Sequence, residues 1–186
     1  VVTAGSTHPG EEELVLEAFE NRDVRVVLAP RHLDRLPEVE SLLDERGENW
    51  ARWSAQPFRE DHSPDVLLVD EFGLLEGLYR RSDLVLVGGG WRSEGGHNLL
   101  EAAQYGVRVI TGPHLENFRA MADFLRDRDL LTVVAEDELA GKLANLDFQG
   151  ETRRRSEDLR EQIKPIEERY RRVLAEALGE GDNADG

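Results

Sequence analysis

Leu84-Val85-Leu86-Val87-Gly88-Gly89-Gly90, followed after four residues by Gly95-Gly96-His97-Asn98 and then Glu101, is the stretch that decides the fold. Four consecutive apolar residues, rich in valine, suit a strand buried on both faces of a parallel sheet. Five glycines within nine residues then mark a strand-to-helix junction at which the backbone comes close to something else. Glycines there allow a close approach and can leave amide N–H groups facing an anion. The spacing predicts a helix over 96–105 with Gly106 as its stop, and Asn98 and Glu101 share one face of it.

Working outward, the strand signature recurs at residues 24–29 (VRVVLA), 66–69 and 107–111, and more weakly at 130–135. The chain opens on Val1-Val2-Thr3-Ala4-Gly5, which reads as a strand already under way and as the start of a domain excised from a longer protein. Helical spacing of apolar residues occupies 11–20, 36–46 (with Gly47 as a stop), 73–81, 118–126 and 136–146. Residues 50–53 read as a short strand and 56–64 as an exposed loop. Strand–helix alternation at this spacing predicts an α/β fold, a doubly wound Rossmann-like parallel sheet with helices on both faces. Residues 1–150 form that domain in this reading. Residues 151–178 form a helical tail, with Leu159, Ile163, Ile166, Tyr170, Val173 and Ala177 on one stripe and a bend near Pro165. Residues 179–186 read as disordered.

Composition narrows the function. The chain has 186 residues, enough for one well-packed domain, and a net charge of −16. Such a surface repels nucleic-acid phosphates and anionic lipid, so no nucleic-acid partner is expected. There is no cysteine, which excludes disulfides and thiolate chemistry. No run of about 18 apolar residues is present to span a bilayer, and no signal peptide is recognisable.

In an open α/β sheet, ligands bind beyond the carboxyl ends of the strands, near the switch point. Three further loops stand out there. Ser6-Thr7-His8 with Gly10 precedes a helix whose first turn is Glu11-Glu12-Glu13, and reads either as a phosphate- or sugar-binding turn or as a helix start capped by Ser6 or Thr7. Arg31-His32 follow the second strand and can meet an anion. Gly112-Pro113-His114 leads to Asn117, which is either a ligand contact or a helix cap. A Walker loop, a dinucleotide G-x-G-x-x-G, zinc-pair spacing of histidines and a nucleophile elbow are all missing, so no metal site is expected. From residues alone the chain reads as a binder of an anionic nucleotide or sugar nucleotide. Glu101 is the group expected to accept hydrogen bonds from a ribose diol.

These loops in this order resemble the Kdo (3-deoxy-D-manno-octulosonic acid) transferases: Ser6-Thr7-His8-x-Gly10-Glu11-Glu12, then Pro30-Arg31-His32, then Asp70-x-x-Gly73-x-Leu75 with Tyr79 and Asp83. The series continues with Gly88-Gly89, Gly95-Gly96-His97-Asn98-x-Leu100-Glu101 and Gly112-Pro113-His114-x-x-Asn117-Phe118. The resemblance covers residues 1 to about 125. It departs from the family at Leu74, Gly90, Leu99 and Ala102. It implies the C-terminal half of a GT-B glycosyltransferase, which holds CMP-Kdo as donor substrate and needs no other cofactor. The implied donor-binding residues are Ser6, Thr7, His8, Arg31, His32, Gly73, Gly88, Gly89, Gly90, Gly95, Gly96, His97, Asn98, Glu101 and Asn117, with no catalytic residue in this chain. The implied partners are the N-terminal acceptor domain of the same enzyme, which supplies the base, and through it a lipid A precursor. The implied location is cytoplasmic, on the inner face of the inner membrane. A UDP-sugar-dependent GT-B transferase or epimerase, or a non-catalytic nucleotide-binding module, remains the alternative.

Overall fold

In the computed structural model, which describes residues 1–55 and 63–144, seven strands form one parallel sheet in the order β3-β4-β2-β1-β5-β6-β7. The elements follow the chain as β1 (Val2–Thr7), α1 (Glu11–Phe19), β2 (Val26–Pro30), α2 (Leu36–Arg46), β3 (Trp50–Arg52), β4 (Val66–Leu68), α3 (Leu75–Tyr79) and β5 (Leu84–Val87). They continue as α4 (Leu100–Ala103), β6 (Arg108–Thr111), α5 (Arg119–Arg126), β7 (Leu131–Val133) and α6 (Leu139–Ala144). From β1 the chain first builds outward through β2, and β5 later returns to the other side of β1. The switch point therefore lies between β1 and β5, and the loops after those strands meet there.

Alternate strand residues supply three buried clusters, the smallest being Val27 and Ala29 of β2 with Leu67 of β4 and Val69 just after it. Leu28, Leu68, Leu84, Leu86 and Ile110 pack with Leu14, Val15, Val39, Leu43, Leu139 and Leu143, from α1, α2 and α6. Val85, Val87 and Val109 pack on the opposite face with Tyr79, Leu100, Ala103, Met121 and Leu125, from α3, α4 and α5. Both faces are buried, so the strands carry no polar alternation, and this is why they read so clearly in the sequence. α2 ends at Gly47 in the left-handed region (φ 69°), its N–H returning to Asp44 and Leu43 carbonyls as a helix stop requires.

The structure corrects two expectations. The helix after the glycine loop begins at Leu100, not Gly96. Gly95 and Gly96 hold φ of 78° and 82°, outside the helical region, and Asn98 Oδ1 accepts the Leu100 N–H. Neither Ser6 nor Thr7 caps α1: the cap position is Gly10, with no side-chain bond, and at α5 it is Phe118 rather than Asn117. The short strand at 50–53 is present as edge strand β3. The expected tail over 151–178 and most of the loop at 56–64 lie outside the described residues.

Candidate nucleotide site at the switch point

Ser6 sits where β1 bulges, between Gly5 and Thr7, and has φ 56°. That left-handed kink shifts the register with β2, which pairs again at Thr7–Pro30, and is uncommon for a residue with a side chain. Immediately after it, His8 is 92% removed from solvent at a relative exposure of 8%. Its Nε2 meets Nε2 of His97, from the loop after β5, at 2.7 Å, with the two rings nearly parallel at 13° and set end to end, 5.0 Å between centroids. His32, from the loop after β2, stands edge-on to His8 at 6.0 Å. Arg31, beside it, is exposed and acts electrostatically on His97. Three loops that are far apart in sequence thus place three imidazoles and a guanidinium at the switch point. On a chain of net charge −16, this is a local basic site of the kind that an anionic ligand needs.

Burial pushes the His97 imidazole down to about 4, and the charges of His8, Arg31 and His32 add to it, against Glu94. His97 is neutral at neutral pH. Among the described residues no group of His, Cys, Asp or Glu is placed to hold a metal ion.

No family model matches the chain. Curated relatives do. Over 151 residues it is 34% identical to a 3-deoxy-D-manno-octulosonic acid transferase of Aquifex aeolicus, covering 78% of this chain and 41% of the relative. Over 150 residues it is 33% identical to the enzyme of that name from Chlamydia muridarum, covering 78% of this chain and 34% of the relative. Among solved structures, the C-terminal CMP-Kdo binding domain of WaaA from Acinetobacter baumannii matches with a TM-score of 0.69 and 29% identity, over 77% of each chain. The chain belongs to the Kdo transferase family. It spans between a third and two fifths of those curated relatives' length and corresponds to the C-terminal domain of a GT-B fold.

In this Kdo transferase domain the glycine loop is locked by a residue that sequence reasoning assigned to the helix dipole. Glu11 is fully buried. Its Oε2 accepts N–H bonds from His8 (2.9 Å) and Gly89 (2.8 Å), and its Oε1 accepts one from Trp91 (3.1 Å). Gly88 N–H goes to Gly5 O and Gly96 N–H to Gly89 O. The amides of Gly88, Gly89, Trp91 and Gly96 are therefore already bonded within the protein. The glycines are required by packing: a Cβ on Gly88 would overlap Ser6 O and Thr7 Cα, one on Gly90 would overlap Thr111 Oγ1, and one on Gly89 would press the His97 ring.

Glu12 is the second buried acid that the sequence did not single out. It accepts the Thr7 hydroxyl at 2.6 Å and a bidentate pair from Arg35 at 2.8 and 3.1 Å. Burial works against the Arg35 charge, but the bonds to Glu12 and Glu38 outweigh it and hold its pKa above the ordinary value. The Thr7 side chain is accordingly turned into the fold. Tyr79 is buried beneath β1, its ring filling the space a Cβ on Gly5 would take and its hydroxyl bonded to Ser6. Burial raises the phenol, and the charge of Glu101 adds to it.

Glu101 is exposed and takes a 3.3 Å bond from Asn98 Nδ2, so the two side chains meet, although Asn98 stands before α4 rather than on one helix face with Glu101. Asn117 is exposed and lies across Gly95, where a Cβ would overlap its amide. Gly73 is the outlier: it turns the chain after β4, two strands away from β1, and touches none of the other candidates. Leu99 and Ala102, two of the departures from the family pattern, are fully buried in the α4 core. No helix among the described residues is long and apolar enough to cross a membrane.

Proposed function

We propose that this chain is the donor-binding domain of a glycosyltransferase that moves Kdo from CMP-Kdo to a lipid A precursor in lipopolysaccharide synthesis. The observation that carries the reading is the convergence of His8, Arg31, His32 and His97 at the switch point, in a domain similar to the C-terminal CMP-Kdo binding domain of WaaA. CMP-Kdo is doubly anionic, with a phosphate and a carboxylate, and suits that cluster. Ser6, Asn98, Glu101 and Asn117 stand around it as polar contacts, with Glu101 on the ribose diol. In the transfer, the acceptor oxygen bonds to the anomeric carbon, the bond from that carbon to the CMP oxygen breaks, and the hydroxyl proton passes to a base. No residue of this chain is assigned that last role. The base, the acceptor site and attachment to the cytoplasmic face of the inner membrane belong to an N-terminal domain of the same enzyme, and no cofactor beyond the donor is required.

Calorimetric titration of the chain with CMP, UDP and GDP tests the reading. Preference for CMP is expected. Preference for UDP would transfer the domain to a UDP-sugar transferase or epimerase, and no binding at all would leave a non-catalytic module. Glu101→Gln should weaken CMP about tenfold, the worth of one charge-assisted pair. It should leave the 2′,3′-dideoxy nucleotide unaffected. Equal losses for both would remove Glu101 from the ribose.

A further inference from the structure

Two imidazole nitrogens at 2.7 Å cannot both carry a proton, nor can both present a lone pair, without repulsion. The His8–His97 contact therefore holds a single proton between the two Nε2 atoms. We infer that His8 is its donor and is the residue that becomes positively charged against the bound nucleotide, while His97 is a neutral positioning residue whose Nε2 keeps the His8 proton facing it. The inference rests on the nucleotide reading above and assigns the charge within that site.

Four observations assign these roles. His97 faces His8, Arg31 and His32 from the other loops and only Glu94 from its own, so a charge on it is opposed on three sides. Its ring lies against the backbone of Gly89, and its pKa is pushed down to about 4. His8, by contrast, stands three residues before the buried Glu11, whose carboxylate accepts its backbone N–H, and has His32 edge-on and His97 as acceptor. Among the described residues, the second ring nitrogen of His8 has no hydrogen-bond partner and is not sealed from solvent. A proton added there makes His8 an imidazolium without disturbing the contact to His97. A proton added to His97 Nε2 would break it.

An anion arriving at the site stabilises the charged His8, so binding takes up a proton wherever His8 is neutral in the free chain. The charged His8 holds the anion more tightly than the neutral one, so the affinity falls as rising pH removes that proton. The probe must not titrate itself. CMP does, near pH 6, so the methyl ester of CMP, a phosphodiester of constant charge, replaces it. Its affinity for the 186-residue chain should fall about tenfold between roughly pH 6 and pH 8. Calorimetry in two buffers of different ionisation enthalpy should show uptake of up to about one proton. His97→Gln, which offers an amide oxygen in place of Nε2, should keep most of that pH profile. His97→Leu and His8→Gln should lose it. Nitrogen NMR of the imidazoles in the free, unmodified chain should show His97 Nε2 bare and His8 Nε2 protonated.

Binding that ignores pH and takes up no proton would overturn the charge assignment and leave the nucleotide reading standing. Absence of binding at every pH would overturn both. A bare Nε2 on His8 in the spectrum, or a leucine variant that behaves like the glutamine one, would reverse or remove the role of His97.

Discussion

After β5, a Cβ on Gly88, Gly90, Gly95 or on the neighbouring Gly112 would run into backbone or side-chain atoms of other loops; after β4, a Cβ on Gly73 would meet nothing within 4 Å. Both turns carry glycine at the carboxyl edge of one sheet, and the family resemblance implies donor-binding glycines in both. They differ in what demands the glycine. Around β5 the demand comes from partners remote in the chain: Ser6, Thr7 and Glu11 on one side, Thr111 and Asn117 on the other. At Gly73 it comes only from the residue's own φ of 84°. A loop of the first kind is a fixed surface, set before any ligand arrives. A turn of the second kind can change sequence at the cost of one backbone strain.

The largest expected effect breaks the first kind at its clamp. Glu11→Ala leaves the amides of His8, Gly89 and Trp91 buried without an acceptor. Each orphaned donor costs about 1–3 kcal/mol, so urea unfolding should show a loss of at least about 3 kcal/mol. A loss below about 1 kcal/mol would mean the loop holds itself without the carboxylate. Gly112→Ala comes next. Its methyl would enter the backbone of Gly90 and Trp91, which cannot swing aside, and about 2–3 kcal/mol should be lost in the same measurement. A neutral result would show that the two loops slide past one another freely. Gly73→Ala is the small end of the series. Only the positive φ opposes it, for about 1 kcal/mol, and nucleotide affinity should not change. A drop in affinity there would bring Gly73 into the site and erase the contrast between the two turns.

The sheet was legible because its strands are buried on both faces, which leaves short runs such as Val26–Pro30 and Leu84–Val87 almost wholly apolar. The switch point followed from those runs together with the glycines and histidines placed after them. The start of α4 was not legible. Residues 96–98 carry nothing that forbids a helix as strongly as proline does, and the left-handed glycines before Leu100 are fixed by Leu115 and Asn117 from a later loop. Glu11 and Glu12 were hidden for a different reason. An acidic first turn is well explained by the helix dipole alone, and only the fold brings Arg35 and the Gly89 and Trp91 amides to them. The family resemblance quoted both acids, yet it did not say that they face inward. Leu99 and Ala102 read only as departures from the family pattern, and both are interior packing residues.

Trp91 links the two sides of this lock. Its amide ends on Glu11, while its indole Nε1 donates to Val134 O at 2.9 Å, and the side chain is 6% exposed. The chain has two other tryptophans, Trp50 and Trp53, both on the far edge of the sheet around β3 and neither fully buried. With those two replaced by phenylalanine, the remaining fluorescence would come from one indole seated against the glycine loop. The protein thus carries its own optical gauge of whether that lock is intact, read without label or ligand.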